Sequence, residues 1–203
     1  MESLCAVKLK RSDKAFINAY ADLLTNGCSD KIYVSDICKK AGYTTMCFYQ
    51  NYEDKNAFGK FIVDYETDIY IDSIREFIML MQQGLATPEK AKKCVSKFFN
   101  HVYDNQSIYT RIFNGLLMED CDRYISDRVA KSTRDILKID IDCKGKKKYL
   151  NWFLVRRNMT AFRLAERWQK NGYDCTPDEM SETFYDICML LDSGVNLTKT
   201  FLL

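Results

Sequence analysis

Thr44, Thr45, Met46, Cys47, Tyr49, Gln50, Asn51 and Lys55 gather hydroxyls, a thiol, a phenol, two carboxamides and an ammonium in one short stretch. The set offers hydrogen-bond donors, acceptors and apolar methyls, but no acid–base pair. It suits contact with a partner better than bond cleavage. The run that holds most of it, AGYTTMCFYQNY at 41–52, also carries Phe48 and Tyr52. The same few residues must therefore feed a core and leave other side chains outside.

Elsewhere the means for catalysis are thin. His101 is the only histidine, which excludes zinc sites built on several histidines and most histidine-based triads. It lies in FFNHVYDN on a helical pattern, where a structural role is favoured over a ligand role. Nine cysteines are present, none in CxxC spacing. The opening MESLCAVKLKRSDK has no apolar run of the kind a secretory signal carries. These features read as reduced thiols in a cytoplasmic protein, mostly acting as small buried hydrophobes, with a redox role for one left open. No spacing suggests a metal site, and no cofactor is expected. A nucleophile elbow, a P-loop and a Rossmann glycine pattern are all missing. Glu119-Asp120 reads as solvated helix surface. An enzyme is not expected.

Length and composition bound the architecture. A chain of 203 residues suits one good-sized domain or a small domain fused to a larger one. Only two prolines and eight glycines leave few turn residues for a β-rich fold. A net charge of +2 does not by itself announce a nucleic-acid partner. Lys8, Lys10, Arg11 and Lys14 nevertheless cluster where the first helix begins. They form either a solvated helix start or a short arm able to touch phosphate. The longest apolar runs fall short of the roughly 18 residues that cross a bilayer, so no membrane partner is expected.

Apolar residues recur at helical spacing along most of the chain, which predicts an all-α fold of about nine helices. The spacing places them near 12–26, 34–41, 44–52, 54–83, 88–104, 106–114, 116–138, 147–171 and 176–192. Gly42 takes the left-handed corner after the second helix, and Thr44 caps the third. Asp54 is placed to cap the fourth. Pro88 opens the fifth, while Thr176, Pro177 and Glu179 open the last. A natural division is 1–55, three short helices, and 56–203, a larger bundle, with the long fourth helix joining them.

Two short helices separated by AGYT have the spacing of a helix-turn-helix. Such a unit buries one face and frees its second helix for a major groove. Phe48 and Tyr52, four apart, are expected to point inward against Ile37, Ala41 and the first helix. Tyr49 is expected to point outward, with Thr45, Met46 and Gln50 on other faces.

The run VSDICKKAGYTTMCFYQNYEDKNAF resembles the TetR family of bacterial transcriptional regulators. Val34, Asp36, Ile37, Ala41, Gly42, Thr44, Phe48, Tyr49, Tyr52, Lys55, Ala57 and Phe58 keep the family's register. Ala19, Leu23 and Gly27 fit its first helix. The resemblance covers about 10–60. It implies that Thr45, Met46 and Cys47 approach base edges of double-stranded DNA. It implies that Tyr49, Gln50 and Asn51 touch phosphates and sometimes bases. Lys55 falls on a phosphate contact, and Thr44 on a cap that also reaches phosphate. Tyr and Lys grip the backbone without reading sequence, whereas Thr or Met can meet a thymine methyl. The chain departs from the pattern at Met46, often a small residue, and at Ile32-Tyr33, usually Thr-rich.

FFNHVYDNQSIYTRIF, with Trp168, Asn171, Gly172 and 176–179, resembles more loosely the branch that includes dihydroxyacetone-kinase regulators. The resemblance implies a dimeric repressor that binds a palindromic operator through two reading heads. It implies a pocket for a small apolar or aromatic effector among helices four to seven. Helices eight and nine would form the homodimer interface, with Trp152, Phe153, Phe184, Ile187 and Leu191 as candidates; an intramolecular core is the other reading of those residues. The alternative function is a regulator or coactivator whose larger domain binds a partner protein.

Overall fold

A computed structural model describes residues 9–25, 32–85, 87–137 and 159–192. The described residues form nine helices and no strand. They are α1 (Arg11–Thr25), α2 (Val34–Ala41), α3 (Thr45–Tyr49), α4 (Lys55–Gln82), α5 (Pro88–Asp104), α6 (Gln106–Phe113), α7 (Cys121–Leu137), α8 (Thr160–Lys170) and α9 (Pro177–Asp192).

Local chemistry sets most of the boundaries. Gly42 ends α2 with φ of 73°, a conformation that penalises a Cβ. Its N–H reaches the Lys39 carbonyl while that of Tyr43 reaches Cys38, which satisfies carbonyls the helix leaves open. Thr87 caps α5 by accepting the Lys90 N–H, with Pro88 behind it at a position that has no N–H to lose. Thr176 accepts the Glu179 N–H at 3.2 Å, and the Glu179 carboxylate accepts the Thr176 N–H at 2.8 Å. This reciprocal pair starts α9.

Two boundaries differ from expectation. The third helix is shorter than 44–52: it ends at Tyr49, and Gln50, still in right-handed geometry as its cap, leads with Asn51 into a turn. The seventh starts at Cys121, not near 116. Gly115 (φ 65°) and Asp120 (φ 48°) hold the intervening residues in a loop, and Leu117 buries itself from that loop. The loop lies so close to α4 that a Cβ on Gly59 would collide with the Leu117 carbonyl oxygen. Only the end of the expected 147–171 helix, Thr160–Lys170, falls within the described residues. The polar loop read at 140–148 lies outside them.

Helix α1 packs on α2 and α6, α4 on α5 and α7, and α5 on α9. Phe16 of α1, Phe48 of α3 and Phe58 of α4 are fully or almost fully buried together. Their rings meet at 5.4 Å for Phe16–Phe48 and 5.3 Å for Phe48–Phe58. Tyr52 closes the group against Phe58 at 5.0 Å and Phe61 at 5.2 Å. Edge-on and tilted pairs of this kind stabilise beyond the area they bury. The first turns of α4 thus belong to the same packing unit as α1–α3. Further along, Tyr70 of α4 meets Phe98 of α5 at 4.5 Å, and Trp168 of α8 meets Phe99 at 6.1 Å.

Polar ties brace the long helix. Arg128 of α7 donates to Asp64 and to Asp68 of α4, each at 2.6 Å. Tyr124 donates to Asp64 as well, also at 2.6 Å. The lone histidine ties two helices together. His101 Nε2 lies 2.6 Å from the Glu66 carboxylate, which is 3% exposed, and joins α5 to α4.

Candidate nucleic-acid interface

Helix α3 is short, so its two sides are set by what brackets it. The glycine corner fixes its start, and the Thr44 hydroxyl accepts the Cys47 N–H at 3.2 Å. At its far end the chain turns so that Tyr52 re-enters the aromatic core. Between these anchors Phe48 is 0% exposed, whereas Met46 is 72% and Tyr49 54% exposed. Thr44, Thr45 and Gln50 are exposed beside them, and Cys47 and Asn51 are half-buried. The inward and outward division expected from the spacing is the one found.

Large apolar side chains rarely lie bare in a cluster without a partner to meet. Tyr33, before α2, is a further exposed ring, at 62%. Its own place is fixed by its backbone N–H, which the Asp36 carboxylate accepts at 2.9 Å. That bond satisfies the N–H of the residue that opens α2.

Three polar residues are committed to internal bonds that the sequence did not reveal. Lys55 donates to the Ile32 carbonyl at 2.6 Å, so its ammonium ties the start of α4 to the approach to α2. Burial, then the charge of Arg111, lowers its pKa below the usual lysine value. Two of its three N–H donors remain for any other partner. Asn51 donates to the Cys47 carbonyl at 2.8 Å and accepts from Lys10 Nζ at 2.9 Å. Lys10 of the basic cluster is therefore held at the end of α3, while Arg11 and Lys14 are exposed on the first turns of α1. Lys8 lies outside the described residues.

Tyr52 is the residue the sequence placed in the core without foreseeing its hydroxyl. It donates to Asp13 at 2.8 Å, and Asp13 is 5% exposed. Burial, and next the Asp13 hydrogen bond, raises the Tyr52 pKa far above the usual phenol value. The hydroxyl keeps its proton and stays a donor.

Away from α3, two recesses open in the bundle. A cleft of about 420 Å³ lies between the end of α6, the start of α7 and α8, with Phe113, Met118, Phe162 and Arg163 among its walls. An apolar crevice between α4, α5, α8 and α9 is lined by Tyr70, Ile74, Phe77, Cys94 and Phe184. The family resemblance implied a recess among helices four to seven, without naming its walls. Of the residues expected at a dimer interface, Phe184 packs inward on Phe99 at 6.4 Å and Ile187 is half-buried. Trp152, Phe153 and the Leu191 side chain lie outside the described residues.

Among the described residues, no cluster of three or more His, Cys, Asp or Glu side chains could hold a metal ion. None of the described helices is long and apolar enough to cross a membrane. No protein-family model matches the chain, and no curated protein matches it.

Proposed function

We propose that this chain is a double-stranded-DNA-binding transcriptional regulator of TetR type, with α2 and α3 as its helix-turn-helix. One observation carries the reading: α3 seals Phe48 in the core and turns Met46 and Tyr49 to water from the same short rod. A recognition helix needs that arrangement, because only a helix fixed from behind can present fixed side chains to a groove. Thr45 and Met46 are the base-facing residues, with Cys47 at the edge of that surface. Tyr49, Gln50 and Lys55 hold phosphate, with Lys10 and Arg11 adding charge. Asn51 works from the helix end through its bonds to Cys47 and Lys10.

In this reading residues 1–55, packed on the first turns of α4, form the reading head, and the rest of 56–203 forms the dimerisation and effector domain of a cytoplasmic repressor that acts without enzymatic activity. Two copies joined through α8 and α9 would set two recognition helices about 34–36 Å apart on a palindromic site. A small apolar or aromatic effector bound in the bundle would release the operator by shifting α4, to which the reading head is packed. Its leverage equals its differential affinity for the two states, typically about 1–3 kcal/mol.

Selection from a random duplex pool tests the reading, with anisotropy at about 50 and about 200 mM salt. Six or more phosphate contacts predict a loss of roughly 10³-fold or more between those salts. The selected duplex should bind far more tightly than random sequence. Equal affinity for both at each salt would overturn the proposal.

A further inference from the structure

The Tyr52 ring alone would complete the aromatic core; its hydroxyl adds a burden. A buried phenol O–H without a partner is costly, and so is a buried carboxylate. The chain buries both and joins them. Asp13 Oδ1 accepts the Tyr52 hydroxyl at 2.8 Å, and Oδ2 accepts the Lys10 backbone N–H at 2.9 Å. The same Lys10 sends its Nζ to Asn51, whose amide nitrogen holds the Cys47 carbonyl. Two strands of hydrogen bonds thus leave the start of α1 and meet the far end of α3.

Net stability is a poor account of this device. Desolvating a carboxylate offsets most of what its bonds return, and apolar replacements of such groups are often neutral or better. Directionality is a better one. Ring-on-ring packing tolerates sliding and tilt, whereas a short hydrogen bond fixes length and angle together. A helix as short as Thr45–Tyr49 has little length over which packing can define its axis.

We infer that Asp13 is a positioning residue for sequence recognition. Through Tyr52, and through Lys10 and Asn51, it locks the C-terminal end of α3 to α1 and fixes the angle at which Thr45 and Met46 meet base edges. This inference rests on the DNA-binding reading. Phosphate grip tolerates small changes of angle, because Lys and Tyr reach the backbone from flexible or exposed positions. Base readout does not, since each misfitted base pair lowers affinity by roughly 5- to 150-fold. Opening the lock should therefore lower discrimination and leave non-specific binding intact.

The test uses the full chain with a selected duplex and a random duplex of equal length. Tyr52→Phe keeps the ring and removes the bond. Its expected result is random-duplex affinity within about twofold of wild type and selected-duplex affinity lower by about tenfold. Asp13→Asn, with Tyr52 intact, keeps an oxygen that can accept the Tyr52 hydroxyl and should retain most of the wild-type preference. Amide exchange of Asn51 and Tyr52 should quicken in Tyr52→Phe while that of α9 stays unchanged; this readout holds where a weakened variant still folds. Wild-type preference and wild-type exchange in a folded Tyr52→Phe chain would overturn the inference. A wild-type chain with no preference for the selected duplex would instead overturn the DNA-binding reading beneath it.

Discussion

Phe48 and Tyr49 are neighbours in sequence with opposite duties, and single substitutions should separate them. Phe48→Ala removes a side chain with no exposed surface from the centre of an aromatic group, and should cost about 3–5 kcal/mol in a denaturant melt. Tyr49→Ala removes a ring already half in water and should leave stability within about 0.5 kcal/mol. The same change should weaken duplex binding measurably. This division was legible in the sequence, because two positions four apart share a helix face and their neighbour cannot. The partners of Asp13 and Lys55 were not legible. Tyr52 lies 39 positions from Asp13, and Lys55 lies 23 from Ile32, so no local pattern joins them.

At the scale of elements, the sequence signals that proved decisive were those a few residues long. Gly42, Thr44, Pro88 and Thr176-Pro177-Glu179 each act at their own helix ends. The start of α7 was misplaced because a tertiary contact decides it: Leu117 leaves the helical register to fill the space over α4. Gly59→Ala should therefore cost about 1–3 kcal/mol, since the added methyl meets backbone that cannot easily yield. An alanine at an exposed α4 site such as Asn56 should cost far less, and thermal melts of the two variants would show the contrast. Arg128→Met tests the other brace on α4. It leaves Asp64 and Asp68, both at least three-quarters buried, without their shared cation. The expected loss is about 1–3 kcal/mol at neutral pH. Acidification should shrink that difference, because burial holds the Asp68 pKa above the usual carboxylate value and its carboxyl takes up a proton.

The molecule as a whole carries thiols that burial holds in the protonated form. Burial, then the charge of Glu76, pushes the Cys94 thiol up to about 11, and burial, then Asp122, does the same for Cys121. A pKa raised on folding means that the folded state keeps its proton longer than the unfolded chain. The stability this supplies is complete below the ordinary thiol value of 9.0 and is lost as pH rises through about 11. Melting temperature should fall across that window, and less steeply in Cys94→Ala/Cys121→Ala than in wild type. The all-helical architecture was legible from periodicity and from the scarcity of glycine and proline. The recesses in the bundle were not, because their walls come from helices far apart in the chain. The central claim concerns one exposed surface, and hydrogen–deuterium exchange of the full chain with and without a selected duplex addresses it most directly. Protection on adding duplex should concentrate at residues 44–55 and the first turn of α1. Protection confined to α8 and α9, or none anywhere at saturating duplex, would contradict the account.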